Sequence, residues 1–266
     1  MSANAQLGPV LADIVVATEK RVRQLEVAPV TSPIVRRTPL DFVAALKSQP
    51  TAVIAEVKAA SPSQGLIRAG MDAVQIAATY VRAGAAAISV LTEPSYFHGS
   101  LDNLVRVRQA FPHTPLLQKD FIIAECQIDQ ALACGADAVL LILAVLGEAR
   151  AAQLQTYARA LGLSVLVEVH DEAEMLSALR IKARLIGVNN RNLRTMEVSL
   201  NPSLELATLI PPETVVISES GLETREQVQE LQHLGYRGFL IGTSLMKKAD
   251  PGQALRVLLG AEERAI

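Results

Sequence analysis

The side chains best suited to acid–base chemistry stand at the ends of short apolar runs. Run 52–57 carries Glu56 and is followed by Lys58; run 86–91 leads to Thr92 and Glu93; run 115–117 leads to Lys119 and Asp120. Run 164–169 carries Glu168 and leads to His170, run 185–188 leads to Asn189, Asn190 and Arg191, and run 215–218 leads to Glu219. A charge inside an apolar strand costs free energy unless it is paired or solvated. Residues two apart on a strand face the same way, which pairs Glu56 with Lys58, Glu168 with His170 and Asn189 with Arg191. Lysines and glutamates gathered at one mouth would compensate one another and shift one another's pKa values, as acid–base sites require. On the residues alone a structural ion-pair network stays open as the alternative. Glu93, Asp120 and His170 taken singly are read as structural.

The last two runs end in small residues, Ser220-Gly221 after 215–218 and Gly242-Thr243 after 238–241. Such turns leave backbone N–H groups open to an anion, so the pair points to a phosphorylated substrate. Ser61-Pro62-Ser63-Gln64-Gly65 makes a defined loop after the first run, with Pro and Gly fixing its shape. It could fold over a ligand or be an ordinary surface turn. His98, His113, His170 and His233 are scattered without metal-ligand spacing, and no G-x-S-x-G elbow is present.

These positions make sense only if the runs are strands that end together. There are eight runs, the fourth spanning 138–143, each apolar on both faces, as strands buried on two sides must be. Helical patterns lie between them at 72–83, 123–134, 148–161, 171–179 and 224–234. In 72–83 the apolar stripe reads Val74, Ala77, Ala78 and Val81. Gly84, Gly135, Gly162 and Gly235 stand where a helix needs a left-handed residue. Asp171, Asn201 and Thr224 are expected N-caps, with Thr224 and Gln227 forming a capping box. Strand–helix units with short connections predict a (β/α)8 TIM barrel over 52–266 with an N-terminal helical extension over 1–51, one domain overall. An open doubly wound sheet is the rival, but no Gly-rich turn follows the first run. Residues 10–25 have helical periodicity and are expected to lie across one mouth of the barrel or on its surface.

Composition agrees. Of 266 residues, 50% are hydrophobic and 20% charged, which excludes a disordered or collagen-like chain. Aromatics are 3% and Trp is absent, so the core must be built from Ala, Val, Leu and Ile. The 25 basic and 27 acidic residues give a net charge of −2 and no electrostatic footprint for nucleic acid or an anionic membrane. Cys126 and Cys134 suit neither a disulfide framework nor a metal site and are expected on one helix as core thiols. No leader pattern is visible and the longest apolar stretch, 138–146, is far short of a membrane span, so a reducing, cytoplasmic setting is expected.

At these residues the chain resembles the indole-3-glycerol-phosphate synthase family of tryptophan biosynthesis. The resemblance rests on Ile54-Ala-Glu-Val-Lys58, Ser61-Pro-Ser63 with Gly65, Leu91-Thr-Glu93, Tyr96-Phe97 with Gly99-Ser100, and Lys119-Asp-Phe-Ile122. It continues through Leu166-Val-Glu-Val-His170, Gly187-Val-Asn-Asn-Arg-Asn-Leu193, Ser218-Glu-Ser-Gly221 and Gly242-Thr-Ser-Leu-Met246, in the family's order. It implies a cofactor-free carboxy-lyase converting 1-(2-carboxyphenylamino)-1-deoxyribulose 5-phosphate to indole-3-glycerol phosphate, carbon dioxide and water.

Carried over residue by residue, it implies Lys119 as acid and Glu168 as base. Glu56, Lys58 and Asn189 complete the catalytic set. Ser61, Phe97, Phe121, Arg191 and Glu219 would bind substrate, the two phenylalanines packing the anthranilate ring. Lys58, Ser220, Gly221, Gly242 and Thr243 would hold the phosphate. Many members carry Lys where this chain has Ala59, Ala60 and Gln64, and His98 stands where a small or amide residue is usual. Many are also fused to an isomerase barrel, so a single barrel implies a monofunctional chain. No metal is implied, and transient contact with other enzymes of the pathway is compatible with the resemblance. Two other readings stay open: a different phosphosugar enzyme, isomerase or Schiff-base aldolase, and a barrel that binds a phosphorylated ligand without turning it over.

Overall fold

The computed structural model describes residues 8–27 and 37–261. Eight parallel strands close on themselves: β1 (Ala52–Val57), β2 (Ala87–Leu91), β3 (Leu116–Lys119), β4 (Ala138–Ile142), β5 (Ser164–Val169), β6 (Leu185–Asn189), β7 (Val215–Glu219) and β8 (Gly238–Ile241). The barrel closes where β1 pairs with β8, Ala52 opposite Gly238, while its other edge pairs with β2, Ile54 opposite Ala87.

Strand alternation divides the apolar residues into two layers. Ile54, Leu117, Leu140, Leu166, Leu185, Ile217 and Leu240 fill the barrel interior. Val53, Val139, Val167, Ile186, Val216 and Phe239 face outward into the layer shared with the helices. Those helices include α3 (Ala73–Ala83), α4 (Leu101–Ala110), α5 (Glu125–Ala133), α6 (Leu143–Ala160), α7 (Glu172–Arg180), α8 (Asn201–Leu206), α9 (Arg225–His233), α10 (Thr243–Met246) and α11 (Pro251–Leu259). Two helices precede the barrel, α1 (Pro9–Val27) and α2 (Phe42–Lys47). Phe42 and Leu46 are buried against Ala52, Ala138, Leu185 and Val215, which begin their strands, so α2 plugs the bottom of the barrel.

The expected glycines terminate or follow helices with positive φ, from 83° at Gly162 to 103° at Gly235. Asp171 and Thr224 cap as expected, Thr224 and Gln227 in a reciprocal box. Four details differ. Asn201 is not the cap of α8: Leu200 is, and Asn201 is the first helical residue because Pro202 favours the first turn. The helix expected from 148 is preceded by one turn from Leu143, set off by Gly147 at φ 65°. In α3 the buried stripe is Ala73, Ile76, Ala77 and Tyr80, one position around from the predicted one, with Val74 and Val81 on its margin. Cys134 is buried at the end of α5, but Cys126 is half-exposed and is no core thiol.

Candidate active site

The inward parity that fills the barrel with Ile54, Leu117, Leu166 and Ile217 continues two residues further to Glu56, Lys119, Glu168 and Glu219. The charges therefore share one cup at the C-terminal mouth because the strands that carry them share one register. Two glycines make room. A side chain at Gly187 would overlap the Glu219 carboxylate, and one at Gly242 would overlap that of Glu56.

Lys119 is the hub. Its Nζ lies 2.6 Å from Glu219 Oε2 and 3.1 Å from Glu168 Oε2. Asn189 Nδ2 donates to Glu168 Oε1 at 3.0 Å, and Asn189 Oδ1 accepts from the Arg191 amide at 3.0 Å. Lys58 is paired with Glu56. Burial by itself would lower the Lys119 pKa, but the charges of Glu219, Glu168 and Glu56 outweigh it and hold the ammonium above its ordinary value. Burial opposes ionisation of Glu168 too, yet the charges of Lys119 and His170 hold it well below the usual carboxylate range. Glu219 goes the other way. Burial, joined by the charges of Glu168 and Glu56, pushes it up to about 7 against the pull of Lys119.

That value fixes a sign. A carboxylate raised in the folded state stabilises the fold relative to the unfolded chain at low pH, and loses that advantage as pH climbs from its unfolded value through about 7. Glu219→Gln is expected to gain stability relative to the parent between pH 5 and pH 8, read as the difference in urea midpoints at the two pH values. A constant difference would show that Glu219 does not titrate there.

The rim is formed by the turns after β7 and β8. Ser220 and Gly221 after β7 have consecutive positive φ values, 69° and 78°. For Ser220 that conformation is sparsely populated and must be held by its surroundings. Buried Asn190 does so: its Nδ2 donates to Ser220 O at 3.1 Å and to Ser218 Oγ at 2.9 Å. Ser244 Oγ donates to Leu222 O at 2.8 Å, tying this turn to Gly242-Thr243 after β8. On the opposite wall Phe97 and Phe121 lie with ring centroids 6.2 Å apart. Glu93 fixes Phe97, its carboxylate accepting from the amides of Ser95, Tyr96 and Phe97 at 2.9, 2.6 and 3.1 Å.

All fourteen residues singled out from the sequence line one cavity of about 340 Å³: Glu56, Lys58, Ser61, Phe97, Lys119, Phe121, Glu168, Asn189, Arg191, Glu219, Ser220, Gly221, Gly242 and Thr243. The loop after β1 forms a small hairpin, Ala60–Ser61 with Gly65–Leu66, that brings Ser61 to Gln64 onto the cavity wall. Sequence reasoning left helix 10–25 across one mouth or on the surface, and named neither its residues nor Lys247 as part of the site. Leu11 and Ile14 of α1 line the cavity, held by Arg21, whose Nη atoms lie 2.8 and 3.1 Å from the Asp120 carboxylate. The stripe of Leu11, Ile14, Val15 and Val22 was the signal for this. Lys247 also lines it, beside the Gly242-Thr243 turn. His170, read as structural, touches Glu168.

A closed eight-stranded α/β barrel with ammonium and carboxylate groups at its C-terminal mouth is the architecture of a TIM-barrel enzyme working by acid–base catalysis. Residues 11–258 match the family described as indole-3-glycerol phosphate synthase, and the chain belongs to that family. It is 48% identical over 225 residues to an indole-3-glycerol phosphate synthase of Laribacter hongkongensis, covering 83% of this chain and 85% of that one. It is 44% identical over 225 residues to that of Sulfurimonas denitrificans, covering 84% and 85%. Among solved structures, 3-hexulose-6-phosphate synthase of Salmonella typhimurium superposes with TM-score 0.64 at 14% identity, covering 78% of this chain and 96% of that one. That likeness is one of fold.

Proposed function

We propose that the cup performs the family's ring closure, decarboxylation and dehydration of 1-(2-carboxyphenylamino)-1-deoxyribulose 5-phosphate, with Lys119 as acid and Glu168 as base. The observation that supports it is Lys119 seated between two carboxylates, facing a cavity with an aromatic wall on one side and the Ser220-Gly221 and Gly242-Thr243 turns on the other.

In this reading the Ser220-Gly221 and Gly242-Thr243 turns hold the phosphate, with Lys58 as its cation. Phe97 and Phe121 pack the anthranilate ring, and Arg191 with Ser61 lies toward its carboxylate. Holding both ends bends the chain so that the ring carbon bearing the carboxylate meets the ketone carbon. As that bond forms, Lys119 gives a proton to the carbonyl oxygen. Carbon dioxide leaves, its bonding pair returning to the ring and restoring aromaticity. The new hydroxyl then departs as water with a proton from an ammonium of the cup. Glu168 takes a proton from the neighbouring carbon next to nitrogen, completing the indole. Glu56 holds Lys58, and Asn189 holds Glu168. The substrate is small and phosphorylated; among the described residues no helix is long and apolar enough to cross a membrane. We place the enzyme in the cytoplasm, its contacts with other enzymes of the pathway transient.

Mixed with the carboxyphenylamino substrate, purified protein is expected to develop indole absorbance with no added metal or nucleotide. No signal at high enzyme concentration would refute the assignment. Borohydride trapping of substrate on Lys58 or Lys119 would point to Schiff-base chemistry instead.

A further inference from the structure

We propose that His170, held by Glu174, is a positioning residue that keeps Glu168 aimed and ionised while Lys119 gives up its proton. This rests on the assignment of Lys119 as acid and Glu168 as base. His170 follows β5, two residues beyond Glu168 and on the same side. Its Nε2 lies 3.4 Å from Glu168 Oε1, the oxygen that also accepts from Asn189. Its Nδ1 lies 3.0 Å from Glu174 Oε2 of α7, which also accepts from the His170 backbone amide at 2.8 Å. The residue is thus pinned to one carboxylate through its ring and its backbone amide. Nε2 is buried with no hydrogen-bond partner of its own, facing Glu168 across that gap. His170 is not part of the cavity wall, so whatever it does passes through Glu168.

The need for it comes from counting charges. Glu56, Glu168 and Glu219 face two ammoniums, Lys58 and Lys119, and Lys58 is paired with Glu56. When Lys119 transfers its proton it becomes neutral. Glu168 is then a buried carboxylate beside another carboxylate, and without a further cation it would itself take up a proton and cease to be a base. His170 supplies that cation from the side away from substrate. The groups facing the imidazole are Glu168 from β5 and Glu174 from α7. Asp171, next in the chain, is turned to the Glu174 amide at 2.9 Å, and Glu148 of α6 is paired with Arg180. Burial would lower the His170 pKa, but the hydrogen bond to Glu174 and the charges of Glu168 and Glu174 raise it to about 10, so the ring is cationic at neutral pH.

The test is steady-state kinetics of the full chain against pH for Glu174→Gln, His170→Asn and Glu168→Gln. In Glu174→Gln the ring loses a carboxylate and sheds its proton sooner, so the alkaline limb of kcat is expected to move down by about one pH unit. His170→Asn is expected to lower kcat about tenfold or more with KM nearly unchanged, since the residue does not touch substrate. If Glu174→Gln and His170→Asn keep the parent's kcat and pH profile while Glu168→Gln is inactive, the role of His170 is overturned and the base assignment stands. If Glu168→Gln keeps full turnover, the base assignment itself falls. Should His170→Asn fail to fold, Glu174→Gln, at a partly exposed position, decides alone.

Discussion

Lys119→Met is expected to lower turnover by roughly 10²–10⁴-fold, the usual worth of a positioned general acid. The methionine keeps the length and most of the volume of the lysine, so the barrel interior stays filled. What goes is the proton donor and the cation shared by Glu168 and Glu219, at 3.1 and 2.6 Å. Competitive inhibition by inorganic phosphate should persist, because the Ser220-Gly221 and Gly242-Thr243 turns do not depend on Lys119. Lys119→Arg separates charge from acidity: a guanidinium keeps the cation between the two carboxylates but holds its proton too tightly to give it up. Both variants should be inactive if Lys119 is the acid. Recovery of turnover in Lys119→Arg would reduce its role to electrostatics, and full turnover in Lys119→Met would remove Lys119 from the mechanism.

Without coordinates this residue stood out as a charge ending an apolar run, and its role as acid came from the family resemblance; parity is the reason that the fold adds. Ile54, Leu117, Leu166 and Ile217 point inward, and a strand repeats every two residues, so Glu56, Lys119, Glu168 and Glu219 had to point inward as well. Once eight runs were recognised as one barrel, the cup followed. What stayed hidden depends on contacts between distant segments. Arg21 meets Asp120 across 99 residues, and nothing local in either stretch announces it. α4 was not expected, although Leu101, Leu104, Val105 and Val107 stand at helical spacing among Asn103, Arg106, Arg108 and Gln109. Gly187 read as a mere small residue, and Gly242 only as part of a turn open to an anion, until the carboxylates they admit were in place. His170 was read as structural because, taken singly, nothing local shows that Glu174 pins its ring or that its Nε2 faces Glu168. The same logic explains Asn201: a good capping side chain one position inside a helix loses to the geometry that Pro202 imposes.

Asp137→Ala is expected to cost about 3–5 kcal/mol of stability, the range for removing one partner of a buried ion pair. Asp137 is fully buried at the start of β4, at the end of the barrel opposite the cup. Its Oδ1 accepts from Arg37 and from the Leu40 amide, each at 2.7 Å, and its Oδ2 accepts from the Leu116 amide at 2.8 Å and from Arg108. Arg108 is as deeply buried, spending its other donors on the carbonyls of Gly135, Thr114, Pro112 and Phe111 at 2.8 to 3.2 Å. Burial, with Arg37 nearby, lowers its pKa to about 10, still charged at neutral pH. Alanine would leave that guanidinium uncompensated and strip two backbone amides of their acceptor. Through Arg37 and Leu40 the same carboxylate ties the segment before α2 to the barrel, so we propose that this part of the extension unfolds together with the barrel. Urea unfolding of Asp137→Ala should then show one transition at a lower midpoint with the slope unchanged. Turnover below the midpoint should survive, since the cup is untouched. A second, earlier transition would mean that the extension comes away first, and a loss under about 1 kcal/mol would put Asp137 on a par with a surface pair.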